Sequence, residues 1–130
     1  MKHGLWVLAV ALPALAVPAF MPALAQSACV EPPAPTMPDG KTAARDQIIA
    51  AAGAAKEFMA KSDEFQGCLN AEYEATVNAA KAKKEPFDAT KLNKDREAKI
   101  TANQKRKEDV GKAYGATAAA YKQANPPAAK

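Results

Sequence analysis

Cys29 and Cys68 are the only thiols in the chain, and His3 is its only imidazole. Three fates are open to Cys29: acylation, a disulfide, or a reactive thiolate. Catalysis finds little to work with. His3 lies in a leader segment, so no Ser-His or Cys-His pair can form beyond it. Two cysteines and scattered carboxylates do not make a zinc set. No glycine-rich phosphate loop and no paired catalytic acids occur. The expectation is a non-enzyme with no catalytic residue, no metal ligand and no cofactor.

The leader decides the compartment. Lys2 and His3 form a short basic start, Leu5 to Val17 is a mainly apolar run, and Ala23-Leu24-Ala25 is an A-x-A cleavage site with Ala23 and Ala25 as its small residues. That order predicts a secretory signal peptide over residues 1–25. Pro13, Pro18 and Pro22 interrupt the run, which argues against a spanning helix. A lipoprotein box wants a branched apolar residue three positions before its cysteine, and Gln26 stands there. The mature chain is therefore expected to begin at Gln26, to be periplasmic or secreted, and to keep no stable membrane anchor. In an oxidising compartment two cysteines favour a disulfide. Cys29–Cys68 within one chain is the expected pairing, with an interchain staple or two free thiols as alternatives.

A second group of residues can bind rather than react. "QKRKED" contains Lys105, Arg106 and Lys107, and Lys99 lies two turns earlier. Together they are candidate contacts for an anionic lipid, polysaccharide or other polymer. No aromatic residue is interleaved, so base stacking is unsupported and no nucleic-acid partner is expected. Residues 26–79 carry four Lys and Arg against eight Asp and Glu, and residues 80–130 carry thirteen against six. Folding the acidic half against the basic half would neutralise much of that cationic surface, which is the preferred reading.

These groups must be held by the elements the rest of the sequence can build. Alanine dominates the apolar content, and aliphatic β-branched residues are scarce, so helix is favoured over strand. "EPPAPTMPDG" reads as an extended, polyproline-like arm over 26–41, closed by a turn at "PDG". Thr42 can cap a helix that meets no proline before Pro86. Its stripe is Ile48, Ala52, Ala55, Met59, Phe65, Leu69, Tyr73, Val77 and Ala80, in steps of mostly three and four. "KKEPFDAT" breaks it at a hinge near 85–89, where Asp88 or Thr90 can cap a second helix. That helix carries Leu92, Ile100, Asn103, Lys107, Val110, Tyr114, Thr117 and Tyr121 on one stripe. Pro126 and Pro127 stop it, leaving a tail over 126–130. The fold class is all-α: an antiparallel helical hairpin over 42–125 with an extended proline-rich N-terminal arm. Counting outward from Pro86 sets Tyr73 opposite Ile100, and Phe58 and Phe65 near Val110 and Tyr114. Gly111 and Gly115 are expected to let the facing helix approach closely.

The disulfide tests this picture. On a straight helix beginning at Thr42, Cys68 lies about 39 Å away. The arm running back from a turn near Asp39 reaches only about 30 Å. An intrachain bond then requires a late helix start, a bend before Cys68, or a stretched arm. "KSDEFQG" is the natural place to bend, with Ser62 or Asp63 able to recap.

"ITANQ", Ile100 to Gln104, resembles the L-T-x-x-Q motif of small periplasmic helical chaperones of the Spy and CpxP type, with isoleucine in place of leucine and one copy where that family usually has two. The outline of a hairpin with basic arms is similar to the periplasmic chaperone Skp. The order leader, Cys29, "PPAPTMPDG", helix, "SDEFQGCL" resembles short exported helical proteins of proteobacteria. These resemblances imply an envelope compartment and a hairpin shape. Three functions follow as expectations: an envelope interaction or scaffold protein whose partner is another protein or a second copy; a holdase-like chaperone using an alanine-lined face; and a binder of anionic envelope polymers through Lys91 to Lys112.

Overall fold

A computed structural model describes residues 29–127. Two helices account for most of it: α1, Arg45–Lys83, and α2, Ala89–Ala124. They pack antiparallel, and no strand occurs among the described residues. At 1.5 Å per residue the two helices are about 58 and 54 Å long. The leader, with Ala23 and Ala25, lies outside the described residues, as do the first residues of the arm and the last three of the tail.

The α2 stripe expected from the sequence faces inward, whereas the buried line of α1 runs one position off the expected one in its first half, leaving Ile48, Ala52 and Met59 half-buried. Ala51, Ala55, Phe58, Ser62, Phe65 and Leu69 are buried along α1, and Asn103, Val110 and Thr117 along α2. Ala55, Phe58 and Val110 form a buried apolar cluster, with Met37, Met59 and Tyr114 packed on it. Met37 comes from the arm, so two helices and an extended segment share one core. The inventory of large apolar residues is too thin for a globular interior, and the third segment thickens the seam.

Each boundary has a local cause, and several differ from expectation. Thr42 does not cap α1. It belongs to a turn in which the Thr42 and Ala43 amides donate to Asp39 O at 3.2 and 2.9 Å, and the Lys41 amide donates to Asp39 Oδ1 at 2.9 Å. The helix begins three residues later. There the Ala44 amide donates to Gln47 Oε1 at 2.8 Å and the Gln47 amide to Ala44 O at 3.0 Å. Ser62 and Asp63 do not recap either. The helix runs unbroken through both, because Ser62 is fully buried against α2 rather than turned back on its own backbone. Asp88 caps α2 as expected, its carboxylate accepting from the Lys91 amide at 2.9 Å.

The hinge spans 84–88. Lys84 takes a left-handed conformation, φ 56°, and the Glu85 amide donates back to Ala80 O at 3.1 Å, which closes α1 in a Schellman-type turn. The register differs from the outward count by about one turn. Tyr73 lies under Arg96, not opposite Ile100, and Gln66 meets Asn103. Residues 85–88 hold no helical turn and Asp88 is extended, and an extended residue advances about 3 Å where a helical one advances about 1.5 Å. Three such residues advance α2 by about 5 Å, so lower-numbered residues reach each level. Phe58 still meets Val110.

Glycines Gly111 and Gly115 are not close-approach positions. Added side-chain carbons would meet only Met59 Cε at 3.8 Å from Gly111 and nothing within 4 Å at Gly115. The tight glycine is Gly40, where a Cβ would lie 2.0 Å from Thr117 O and 2.9 Å from Tyr121 N.

Candidate functional site

The arm lies in the groove between the helices and is fastened along its length. At its start, Cys29 is bonded to Cys68 within the chain, with the Cα atoms 5.6 Å apart. At its end, Thr117 Oγ1 donates to Pro38 O at 3.1 Å, and Gly40 sits against the α2 backbone. The late start of α1 makes this possible. Arg45 to Cys68 is about 35 Å of helix. Cys29 to Gly40 spans nearly the same distance, about 34 Å, only if fully extended. The prolines supply that extension: Pro32 is buried, and Pro35 and Pro38 are half-buried.

Two residues beyond Cys29, Glu31 meets a polar cluster that the sequence did not announce. Asn103, fully buried, donates through Nδ2 to Glu31 Oε1 at 3.1 Å and to Ser62 Oγ at 3.3 Å. Its Oδ1 accepts from Gln66 Nε2 at 2.8 Å. Arg106 Nη1 donates to Glu31 Oε2 at 2.7 Å. The cluster therefore joins all three segments: Ser62 and Gln66 from α1, Asn103 and Arg106 from α2, Glu31 from the arm. Its foreshadowing was Asn103, a polar residue on the α2 stripe, and Arg106, one of the candidate anion contacts. Glu31 gave no signal, because its position depends on the path of the arm.

The candidate anion-binding residues are placed unequally. Arg106 is engaged with Glu31, and Lys107 pairs across the hairpin with Asp63, its side chain 16% exposed. Lys105 pairs along its own helix with Asp109 at 3.0 Å. Lys99 is exposed, beside Cys29, Glu31 and Phe65 on one side and the Tyr73–Arg96 cleft on the other. The acidic half thus neutralises two cations of the triplet, and α2 itself neutralises the third. In that cleft, Arg96 lies 4.4 Å over the Tyr73 ring and donates to Asn93 Oδ1 at 2.6 Å, while its Nε is buried without a hydrogen-bond partner. Cation–ring attraction offsets part of that loss.

Elsewhere charge is arranged along the helices. Lys61 beside Glu57 holds that carboxyl below its ordinary range, chiefly by its side-chain hydrogen bond and then by its charge, and Lys91 does the same to Asp95. Both lysines are raised in turn by the same pairing. No group of three or more His, Cys, Asp or Glu side chains poised for a metal occurs among the described residues, and no described helix is long and apolar enough to cross a membrane. The disulfide is compatible with an oxidising compartment. The arm, its covalent link and the buried cluster beneath it tie the two helices together. No family model, curated protein or solved structure matches this chain.

Proposed function

We propose that this is an exported, non-catalytic interaction protein of the bacterial envelope: a stapled helical rod that scaffolds a protein partner. The observation that carries the reading is the arm. A covalently fastened segment fills the groove between two long helices, giving a stiff surface from a chain too poor in large apolar residues to make one otherwise. Engagement of Lys105, Arg106 and Lys107 by carboxylates favours this over binding of anionic polymers.

The holdase reading has one observation in its favour: the groove accommodates an extended chain, because it holds one. With the arm in place, the large apolar side chains still outside are scattered, at Val30, Ile49 and Phe87, so a client would need the arm displaced.

The test is affinity capture of the tagged full-length chain from periplasm under non-reducing conditions, after crosslinking. A discrete protein recovered in high salt is expected. Recovery of polysaccharide or lipid alone, lost in salt, would replace the scaffold with the polymer binder. Suppression of client aggregation by the oxidised chain would replace it with the holdase.

A further inference from the structure

Glu31 is seated in a prepared site. Asn103 is wholly buried, and Gln66 Nε2 holds its Oδ1, which turns the amide nitrogen toward Glu31 and Ser62. Arg106 adds a guanidinium to the second carboxylate oxygen. A fixed amide donor beside a cation is a receptor for a carboxylate, and its donors belong entirely to the two helices. The carboxylate arrives on a third segment that is joined to them by one turn and one disulfide.

We propose that this groove is a recognition site for an extended, proline-rich segment bearing a carboxylate, supplied by another polypeptide. Glu31 occupies the site in cis, and the Cys29–Cys68 bond decides whether a foreign segment can replace it. The inference rests on the reading of the chain as an interaction protein and names the chemistry of its partner. That chemistry is read from the occupant already present. A carboxylate meets Asn103 and Arg106, a proline is buried immediately after it, and Met37 reaches the Phe58–Val110 cluster six residues on. Polyproline segments suit such a groove, since they are extended before binding and lose little freedom on docking.

The latch opens by thiol–disulfide exchange. Both cysteines are partly exposed. A thiolate of a protein dithiol attacks one sulfur, the other leaves as a thiol, and the donor's second thiol resolves the mixed disulfide. This chain gains two thiols, the donor becomes a disulfide, and no further oxidant or reductant is needed. The arm then holds by Glu31 and its apolar contacts alone, and its Arg106 pairing is half exposed to solvent and salt.

The test traps the exchanged state. Cys29→Ser in the otherwise full chain leaves Cys68 as its one thiol. The probe is a synthetic peptide of residues 28–38, ACVEPPAPTMP, its cysteine activated as a mixed disulfide with an aromatic thiol. Cys68 displaces that thiol and captures the peptide, so even brief vacancy of the groove is recorded. The arm peptide is expected to be captured about tenfold faster than a scrambled peptide of the same composition, as one charge-assisted contact allows. A Glu31→Gln peptide should lose most of that advantage. The exposed Arg106→Ala variant of the chain should no longer distinguish the Glu31 peptide from the Glu31→Gln peptide. Equal capture rates for all three peptides, on a chain that remains helical, would overturn the proposal. Capture from periplasm is read separately, so a failed pull-down and a failed peptide preference remain distinct results.

Discussion

Asn103 of α2 is held by three side chains from the other two segments: Gln66 and Ser62 of α1 and Glu31 of the arm, with its amide oxygen accepting one bond and its amide nitrogen donating two. In a seam of alanine and a few aromatics, such a residue fixes register, because sliding either helix by one turn would strand buried donors. Asn103→Leu is expected to lower stability by about 2–4 kcal/mol, since it leaves Ser62 and Gln66 with polar groups unsatisfied near the core. Urea denaturation followed by circular dichroism measures it, and an unchanged midpoint would show that the cluster contributes no net stability. Gly40 makes a separate prediction. Gly40→Ala forces backbone against backbone at Thr117 and should cost about 1–3 kcal/mol. Gly115→Ala faces open space within a helix and should gain about 1 kcal/mol. The contrast between the two tests the close approach of the arm directly. The sequence carried a hint of Asn103, a polar residue at stripe spacing, but none of Glu31. A side chain's partner across 72 positions cannot be read until the path between them is known.

The helices themselves were written plainly in the sequence. The steps of mostly three and four from Ile48 to Ala80, and of three and four from Ile100 to Tyr121, mark residues that are all buried or half-buried. Register was not legible, because it turns on whether Pro86 to Asp88 climb in extended or helical form. At this scale the charge arrangement gives a pH prediction. Glu57 and Asp95 are held below the ordinary carboxylate range by Lys61 and Lys91, so their support is present above that range and fades as pH falls through their lowered values. The two lysines are raised, so their share is full below the ordinary lysine range and fades at higher pH. All four groups are fully exposed, so the effect is small and screened by salt. The Tm of a Glu57→Gln/Asp95→Asn variant should fall slightly below that of the parent at neutral pH, and the gap should close in acid and in concentrated salt. A gap that persists in acid would assign it to something other than these ion pairs.

For the whole molecule, the disulfide is the main constraint on the unfolded chain. It closes a loop with a sequence separation of 39, for which chain entropy gives about 4 kcal/mol. Reduction, or Cys68→Ser, should lower the denaturation midpoint accordingly while leaving the helices formed. A reduced chain as stable as the oxidised one would mean that the arm's non-covalent contacts suffice.

The same bond changes how the rod bears load. Tension applied at Cys29 enters α1 at Cys68 and bypasses the residues between them, so the arm, the turn and the first half of α1 carry no force while the bond is intact. Pulled from its ends, the oxidised protein should extend only by what lies beyond Cys68. Reduction should then release a further length of about 130–140 Å, the contour of the shielded loop at full extension. Single-molecule stretching in the presence and absence of a reductant measures that step. If the two extensions are equal, the arm is not covalently fastened in the protein. A tether between two envelope partners would gain slack from a chemical signal, with no change in the partners' grip.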